Sequence, residues 1–289
     1  MKNLVIGASG LVGSAVHWCS KERGHETIGT RLMNKGSKTE PLDVSDRPKV
    51  MRVIRNMEPE VIFFCAGSSD PDRCEEDPDE SYRINVSGVK NVLDAAERVD
   101  ARIVFISSAY IFDGSAGPYT ESDTPNPTSV YGWHKLLGEH LIATSDCKHL
   151  IVRTSNVFGW DRLNKNSVLE VIQLLKNERK VNLPEDIIET PIYSRCLAEA
   201  ILDLVEGENS GVYNIAGNEA VSLYRFGKNI ASVFGLDNSL IKPVKAKSLK
   251  TKVEVPRNAC LTNKKVKKSL STNLTSTQVG LKQMLKDEL

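Results

Sequence analysis

The stretch Asn3-Leu4-Val5-Ile6-Gly7-Ala8-Ser9-Gly10-Leu11-Val12-Gly13 decides the fold. Residues 3–6 read as a short apolar strand, and glycines follow at the spacing Gly-x-x-Gly-x-x-Gly. An amphipathic run then reaches about Arg23, with Gly24 as its C-cap. In such a unit Gly7 permits the tight turn, Gly10 lets the backbone approach a pyrophosphate, and Gly13 lets helix pack closely on strand. The turn residues Gly7, Ser9, Gly10, Leu11 and Val12 would face the phosphates with the free N–H groups of a helix N-terminus. A strand before the glycines and a helix after them separate a nucleotide cradle from a purely structural turn. The expected fold is α/β, a doubly wound parallel sheet of Rossmann-like type that holds a dinucleotide.

The second strand, residues 26–29, ends in Thr30 and Arg31. A carboxylate there would bond the ribose hydroxyls of NAD, whereas arginine accommodates the 2′-phosphate of NADP. Glu26 stands at the wrong end of the strand, so Arg31, helped by Lys35, favours NADP, with NAD the alternative. Residues 61–65 are wholly apolar, as a strand covered on both faces must be. They run into Cys65-Ala66-Gly67-Ser68, small enough for a dinucleotide to lie over the strand end. Residues 69–79, acidic and punctuated by proline, read as a loop, and residues 80–98 as a helix carrying Asn85.

The strand at residues 102–108 ends in Ser107 and Ser108, and Tyr131-Gly132-Trp133-His134-Lys135 opens a helical run to Thr144. Positions four apart share a helix face, so Tyr131 and Lys135 project side by side. A free phenol, with a pKa near ~10, is a poor acid or base at neutral pH. A neighbouring ammonium favours the phenolate and would bring Tyr131 towards a pKa suited to proton transfer. Tyr-x-x-x-Lys alone occurs often on exposed helix faces. Its company here, two strand-end hydroxyls and a dinucleotide cradle, gives it chemical meaning.

The chain has 289 residues, 40% hydrophobic and 26% charged, as an ordinary globular protein would. A net charge of +1 offers no reason to expect a nucleic-acid partner, and Lys264, Lys265, Lys267 and Lys268 read as the solvated side of a helix. Six cysteines without a Cys-x-x-Cys pair and five histidines without ligand spacing point to reduced thiols in a cytoplasmic protein and to no metal. No apolar run approaches the ~18–20 residues of a membrane span. The chain opens on a strand rather than a signal peptide, so the terminal Lys286-Asp287-Glu288-Leu289, which spells a lumenal retrieval signal, reads as coincidence. Beyond residue 155 helices (about 166–177, 194–206 and 222–234) alternate with short strands such as 212–215. The expected organisation is an NAD(P)-binding domain over residues 1–155 and a smaller substrate-binding lobe over residues 156–289, partly interleaved with it.

Several stretches together resemble the extended short-chain dehydrogenases/reductases, above all the dTDP-4-dehydrorhamnose reductase family. They are Ser-Ser-Ala-Tyr-Ile-Phe-Asp-Gly (107–114), Pro-Tyr-Thr-Glu (118–121), Tyr-Gly-Trp-His-Lys-Leu-Leu-Gly-Glu (131–139), Arg-Thr-Ser-Asn-Val-Phe-Gly (153–159), Thr-Pro-Ile-Tyr-Ser (190–194) and Val-Pro-Arg-Asn-Ala-Cys-Leu-Thr-Asn-Lys-Lys (255–265). The resemblance covers nearly the whole chain. It implies NADP(H)-dependent reduction of the 4-keto group of a dTDP-linked 6-deoxy sugar, giving dTDP-rhamnose. Tyr131 would donate the proton, Ser108 (commonly threonine in the family) would stabilise the developing oxyanion, and Lys135 would lower the phenol pKa and hold the nicotinamide ribose. The resemblance also places Asp43 and Val44 by the adenine, Asn85 on the site side, and Ser108, Ala109, Tyr110, Asn156 and Arg257 against the sugar.

Two positions depart from the family pattern. Ala109 stands where aspartate is usual, and Asn156 where tryptophan is frequent, as in many nucleotide-sugar epimerases and dehydratases. Such an epimerase or dehydratase is the alternative enzyme. The alternative outside enzymology is a non-catalytic NADP-binding regulatory subunit like the beta subunit of methionine adenosyltransferase, which resembles the same family. The expected partner is a nucleotide sugar, not nucleic acid or membrane. Oligomeric state is left open, a homodimer included.

Overall fold

A computed structural model describes residues 1–32, 40–161, 166–248 and 251–287; Lys35, Glu288 and Leu289 lie outside the described residues. The strands β1 (Lys2–Ile6), β2 (Glu26–Arg31), β3 (Glu40–Pro41), β4 (Val61–Phe64), β5 (Arg102–Ser108) and β6 (His149–Thr154) form one sheet with a late strand, Gly211–Asn214. Every pairing in it is parallel. In space the order runs Gly211–Asn214, β6, β5, β4, β1, β2, β3. The chain starts mid-sheet, winds outward through β2 and β3, and returns on the other side of β1 as β4. The carboxyl ends of β1 and β4 therefore flank the switch point where doubly wound sheets bind ligands.

Period-two alternation distributes the apolar strand residues between two helical layers. Val5, Phe63, Val104, Leu150 and Val152 point to one core, with α1 (Leu11–Glu22) and the helix Ser194–Glu206. Leu4, Ile6, Ile62, Phe64, Ile103, Phe105 and Ile151 point to the other, with α2 (Arg47–Met57). Residues beyond 155 thus complete both the sheet and a helical layer. Tyr213 lies opposite Val152, and Arg23 of the α1 C-cap pairs with Asp203 at 2.9 Å. Among the described residues, three two-stranded ladders are built from residues 157–244.

The segment expected as a loop over residues 69–79 is instead mostly helical, as α3 (Pro71–Glu76) and the start of α4 (Pro78–Tyr82). Each proline occupies the first turn directly after an aspartate, Asp70 or Asp77, whose carboxylate accepts N–H groups of that turn. A missing N–H costs nothing there, so these prolines begin helices. The helix expected over residues 80–98 is likewise interrupted. A π-helical turn, Arg83–Ser87, separates α4 from α5 (Gly88–Glu97) and carries Asn85. The basic cluster is a 3-10 turn, Val266–Lys268, beside which Lys265 lies 4.0 Å over the Tyr213 ring. No helix among the described residues is long and apolar enough to cross a membrane.

Candidate active site

The glycine turn has the geometry its spacing implies. Gly7 adopts φ +88°, and a Cβ on Gly13 would lie 2.2 Å from the Gly7 carbonyl oxygen, so α1 rests directly on the turn. The helices α2, α3 and α4 are each capped by an aspartate side chain, and α6 (Val130–Ala143) by Ser129; α1 begins at Gly10 with no side-chain cap. Its opening N–H groups, those of Leu11 and Val12 among them, are left for an anion. Ala8 N–H donates to the Thr30 carbonyl at 2.8 Å, which brings the end of β2 against the turn, and the Thr30 hydroxyl is buried without a partner among the described residues. A pyrophosphate suits this set of donors.

The other residues expected at the cofactor divide. Arg31 ends β2, with its carbonyl accepting Leu42 N–H at 2.8 Å. Cys65, Ala66 and Gly67 follow β4 at the switch point, and a Cβ on Gly67 would sit 3.6 Å from the Lys135 ammonium. The Asp43 carboxylate is taken up by a turn, accepting the Ser45 N–H at 2.8 Å and its hydroxyl at 2.7 Å. Desolvation pushes Asp43 up, but those bonds outweigh it and leave the carboxyl below its ordinary value. Val44 is buried against Gly88. Asn85 proves to be a satisfied amide. It accepts Ser68 N–H and donates to Ser68 O, both at 2.9 Å, and so braces the loop after β4. A π turn that redirects one side chain is a frequent device beside a site.

Tyr131, Lys135 and Ser108 do converge. Gly132 brings the amino end of α6 onto the 3-10 turn Ala109–Ile111, since a Cβ there would lie 2.2 Å from the Tyr110 carbonyl oxygen. The Ser108 side chain lies close enough to the Tyr131 phenol to lower its pKa. Lys135, one helical turn along, donates from Nζ to the Ile106 carbonyl at 2.9 Å and lies 5.9 Å from the Tyr131 ring centroid.

The charge balance differs from the sequence expectation. Burial pushes the Tyr131 phenol up to about 12, with Ser108 partly offsetting it. Burial likewise lowers Lys135 to about 8. Each group is driven towards its neutral form because desolvation is the largest influence on it. Ser107, the other strand-end hydroxyl, points elsewhere and donates to Glu139.

Among the residues expected at the sugar, Ala109 is fully buried in a small core with Ile111, Phe112 and Tyr119, and so cannot face a ligand. The turn at Ser108, whose Oγ accepts Tyr110 N–H, rotates Ala109 inward and Tyr110 outward. Tyr110 packs edge-to-face on Tyr131 with ring centroids 6.1 Å apart. Asn156, in the left-handed region at φ +37°, donates from Nδ2 to Glu189 at 2.6 Å, and Tyr110 O–H donates to the same carboxylate at 3.4 Å. Arg257 is paired with Asp186 at 2.6 Å. No group of three metal-ligating side chains converges among the described residues.

The family described as RmlD substrate binding domain matches residues 1–289, the whole chain. The chain belongs to the RmlD family. Among solved structures it resembles a dTDP-4-dehydrorhamnose reductase from Clostridium acetobutylicum, with 30% identity and a TM-score of 0.91 over 100% of this chain and 99% of that one. A dTDP-4-dehydrorhamnose reductase from Bacillus anthracis, solved in complex with NADP, is 25% identical with a TM-score of 0.91, covering 99% of this chain and 100% of that one. The methionine adenosyltransferase 2 subunit beta of Pongo abelii is 28% identical over 98% of this chain and 86% of its own length. This RmlD-family chain is thus an extended short-chain dehydrogenase/reductase in architecture.

Two site features escaped the sequence reading. Glu139 and Arg153 form a buried ion pair at 2.7 Å beneath α6, joining that helix to β6. Their spacing in sequence carries no signal, and only the sheet register brings them together. Glu189, 33 residues from Asn156, is the other.

Proposed function

We propose that this protein reduces the 4-keto group of a dTDP-linked 6-deoxy sugar with NADPH. The observation that carries the reading is the convergence of Ser108, Tyr131 and Lys135, with the Lys135 ammonium one turn along α6 between the ends of β4 and β5. The names of the Clostridium and Bacillus relatives support it. The glycine turn and the uncapped α1 would hold the pyrophosphate of NADPH, which when bound would supply the hydride. Tyr131, a phenol that burial keeps firmly protonated at neutral pH, donates its proton to the carbonyl oxygen as charge develops there. Ser108 holds that oxygen and the phenol in line. The Lys135 ammonium then faces the phenolate that proton donation leaves behind.

The test is the nicotinamide absorbance on mixing NADPH with dTDP-4-dehydrorhamnose. One NADPH oxidised per sugar is expected. An epimerase or dehydratase would alter the sugar without net oxidation. The 28% identity to a methionine adenosyltransferase beta subunit favours a second reading, a binding subunit, under which NADPH binds but no sugar turns over.

Two further outcomes follow from this chemistry. Lys135 carries its charge only below about 8, so kcat/KM should be level on the acid side and fall as pH rises through that value. A profile that stays flat well into the alkaline range would remove the ammonium from the mechanism. Arg31→Ala should weaken NADPH by about 10-fold or more, from the ~1.5–3 kcal/mol of a hydrogen bond to a charged group, and NADH by much less. Equal losses in fluorescence titrations with the two dinucleotides would remove Arg31 from the discrimination.

A further inference from the structure

The protein buries two carboxylates near Tyr131, and they are treated differently. Glu139 meets the Arg153 guanidinium through Nε and Nη2 and also accepts from Ser107, so its charge is matched and its lone pairs are filled. Glu189 is equally buried, 4% exposed, yet it has no cationic partner among the described residues. Its two donors are neutral: Asn156 Nδ2 at 2.6 Å on Oε2 and Tyr110 O–H, long at 3.4 Å, on Oε1. A carboxylate offers about four acceptor positions, so roughly half of those on Glu189 are open. An unmatched carboxylate in a desolvated place is costly, and proteins retain such groups where they contact ligands.

The surroundings hold Glu189 in place. Asn156 adopts a left-handed backbone, and its Oδ1 accepts the Ser167 hydroxyl at 3.1 Å, which fixes the amide with its NH2 towards the carboxylate. Glu189 and Tyr131 both touch Tyr110, one through its hydroxyl and the other through its ring. The unmatched carboxylate and the proton donor therefore flank a single side chain. Tyr110 and Asn156, its two donors, are themselves only half-buried.

We propose that Glu189 is a specificity-determining residue whose carboxylate accepts a hydrogen bond from a sugar hydroxyl near the reacting carbonyl, and so selects sugars bearing a donor there. This rests on the nucleotide-sugar reductase reading and deepens it. A site built to bond a substrate hydroxyl discriminates strongly against the analogue lacking it, because its polar group is then left buried and unpaired. Burial raises the Glu189 carboxyl while Asn156 and Tyr110 lower it, so a ligand hydroxyl would add a third donor favouring the charged form.

The experiment compares dTDP-4-dehydrorhamnose with its 2-deoxy and 3-deoxy analogues on the wild type, Glu189→Gln and Glu189→Asp. It reads kcat and KM by NADPH oxidation, and binding of dTDP-rhamnose and the matching deoxy products by calorimetry. In the wild type one deoxy analogue should lose about 100-fold or more in kcat/KM. Glu189→Gln should shrink that ratio at least tenfold, chiefly through a higher KM for the hydroxylated sugar, with NADPH affinity and melting temperature retained. Glu189→Asp, which keeps the charge but withdraws it by one methylene, should fall between. If Glu189→Gln does not fold, the Asp variant is scored alone. An unchanged ratio in the folded variants overturns the inference and leaves the reductase reading standing. No NADPH oxidation by the wild type, with hydroxyl-dependent binding that Glu189→Gln abolishes, overturns the reductase reading and leaves the inference standing. Binding that is indifferent both to the hydroxyl and to residue 189 overturns the inference whatever the turnover.

Discussion

Replacing Tyr131 with phenylalanine is expected to lower kcat by about 10²–10⁴-fold, the usual contribution of a positioned proton donor, while NADPH binding stays near the wild-type value. The substitution removes one hydroxyl from a buried ring, so the aromatic packing on Tyr110 and the start of α6 should persist. What disappears is the phenolic proton held beside Ser108. Single-turnover measurements with saturating NADPH separate chemistry from binding. A variant turning over at the wild-type rate would end the assignment of Tyr131 as donor. A variant that lost NADPH affinity to the same extent would place the phenol in the cofactor site instead.

Glu139→Ala should destabilise the protein by about 3–5 kcal/mol, because it leaves the Arg153 guanidinium charged, buried and unpaired. Both side chains are under a tenth exposed, so solvent screening is slight. Arg153 is held on its other side by the Glu121 carbonyl and by the Phe112 ring, and it cannot swing out to water cheaply. Urea unfolding with the slope unchanged would measure the loss. Exchanging both partners for apolar residues, Glu139→Met with Arg153→Leu, should cost much less than Glu139→Ala, since no charge is then stranded. Glu139 lies one turn beyond Lys135 on α6, so the pair also sets where that helix sits on β5 and β6. Residual activity of the double variant would report how far Tyr131 depends on that seating. A loss below about 1 kcal/mol for Glu139→Ala would show that the site is wetter than the structure describes.

The sequence by itself determined what depends on local spacing. The glycines at residues 7, 10 and 13 require a turn of one shape whatever surrounds them, since φ is positive at Gly7 and a side chain at Gly13 would strike the turn. The apolar runs at residues 61–64 and 103–106 read as covered strands, and four-residue spacing placed Tyr131 and Lys135 on one helix face. Local pattern failed where a residue has two roles. Pro71 and Pro78 end a helix in one context and start it in another, and the preceding aspartates decided for the start.

Tertiary structure alone decided the electrostatics and the sugar side of the site. Spacing along a helix implied that Lys135 would lower the Tyr131 pKa; how much water remains around both groups depends on β4, β5 and α3 closing over them, and that closure made desolvation the larger effect. Ala109 and Tyr110 are neighbours in the chain, yet one is in the core and the other in the cleft because Ser108 caps a 3-10 turn between them. The partners Glu139 with Arg153 and Asn156 with Glu189 are set by register between separate elements. Whether a buried carboxylate is matched by a cation is a property of what the fold carries to it from far along the chain, and no window of sequence contains that.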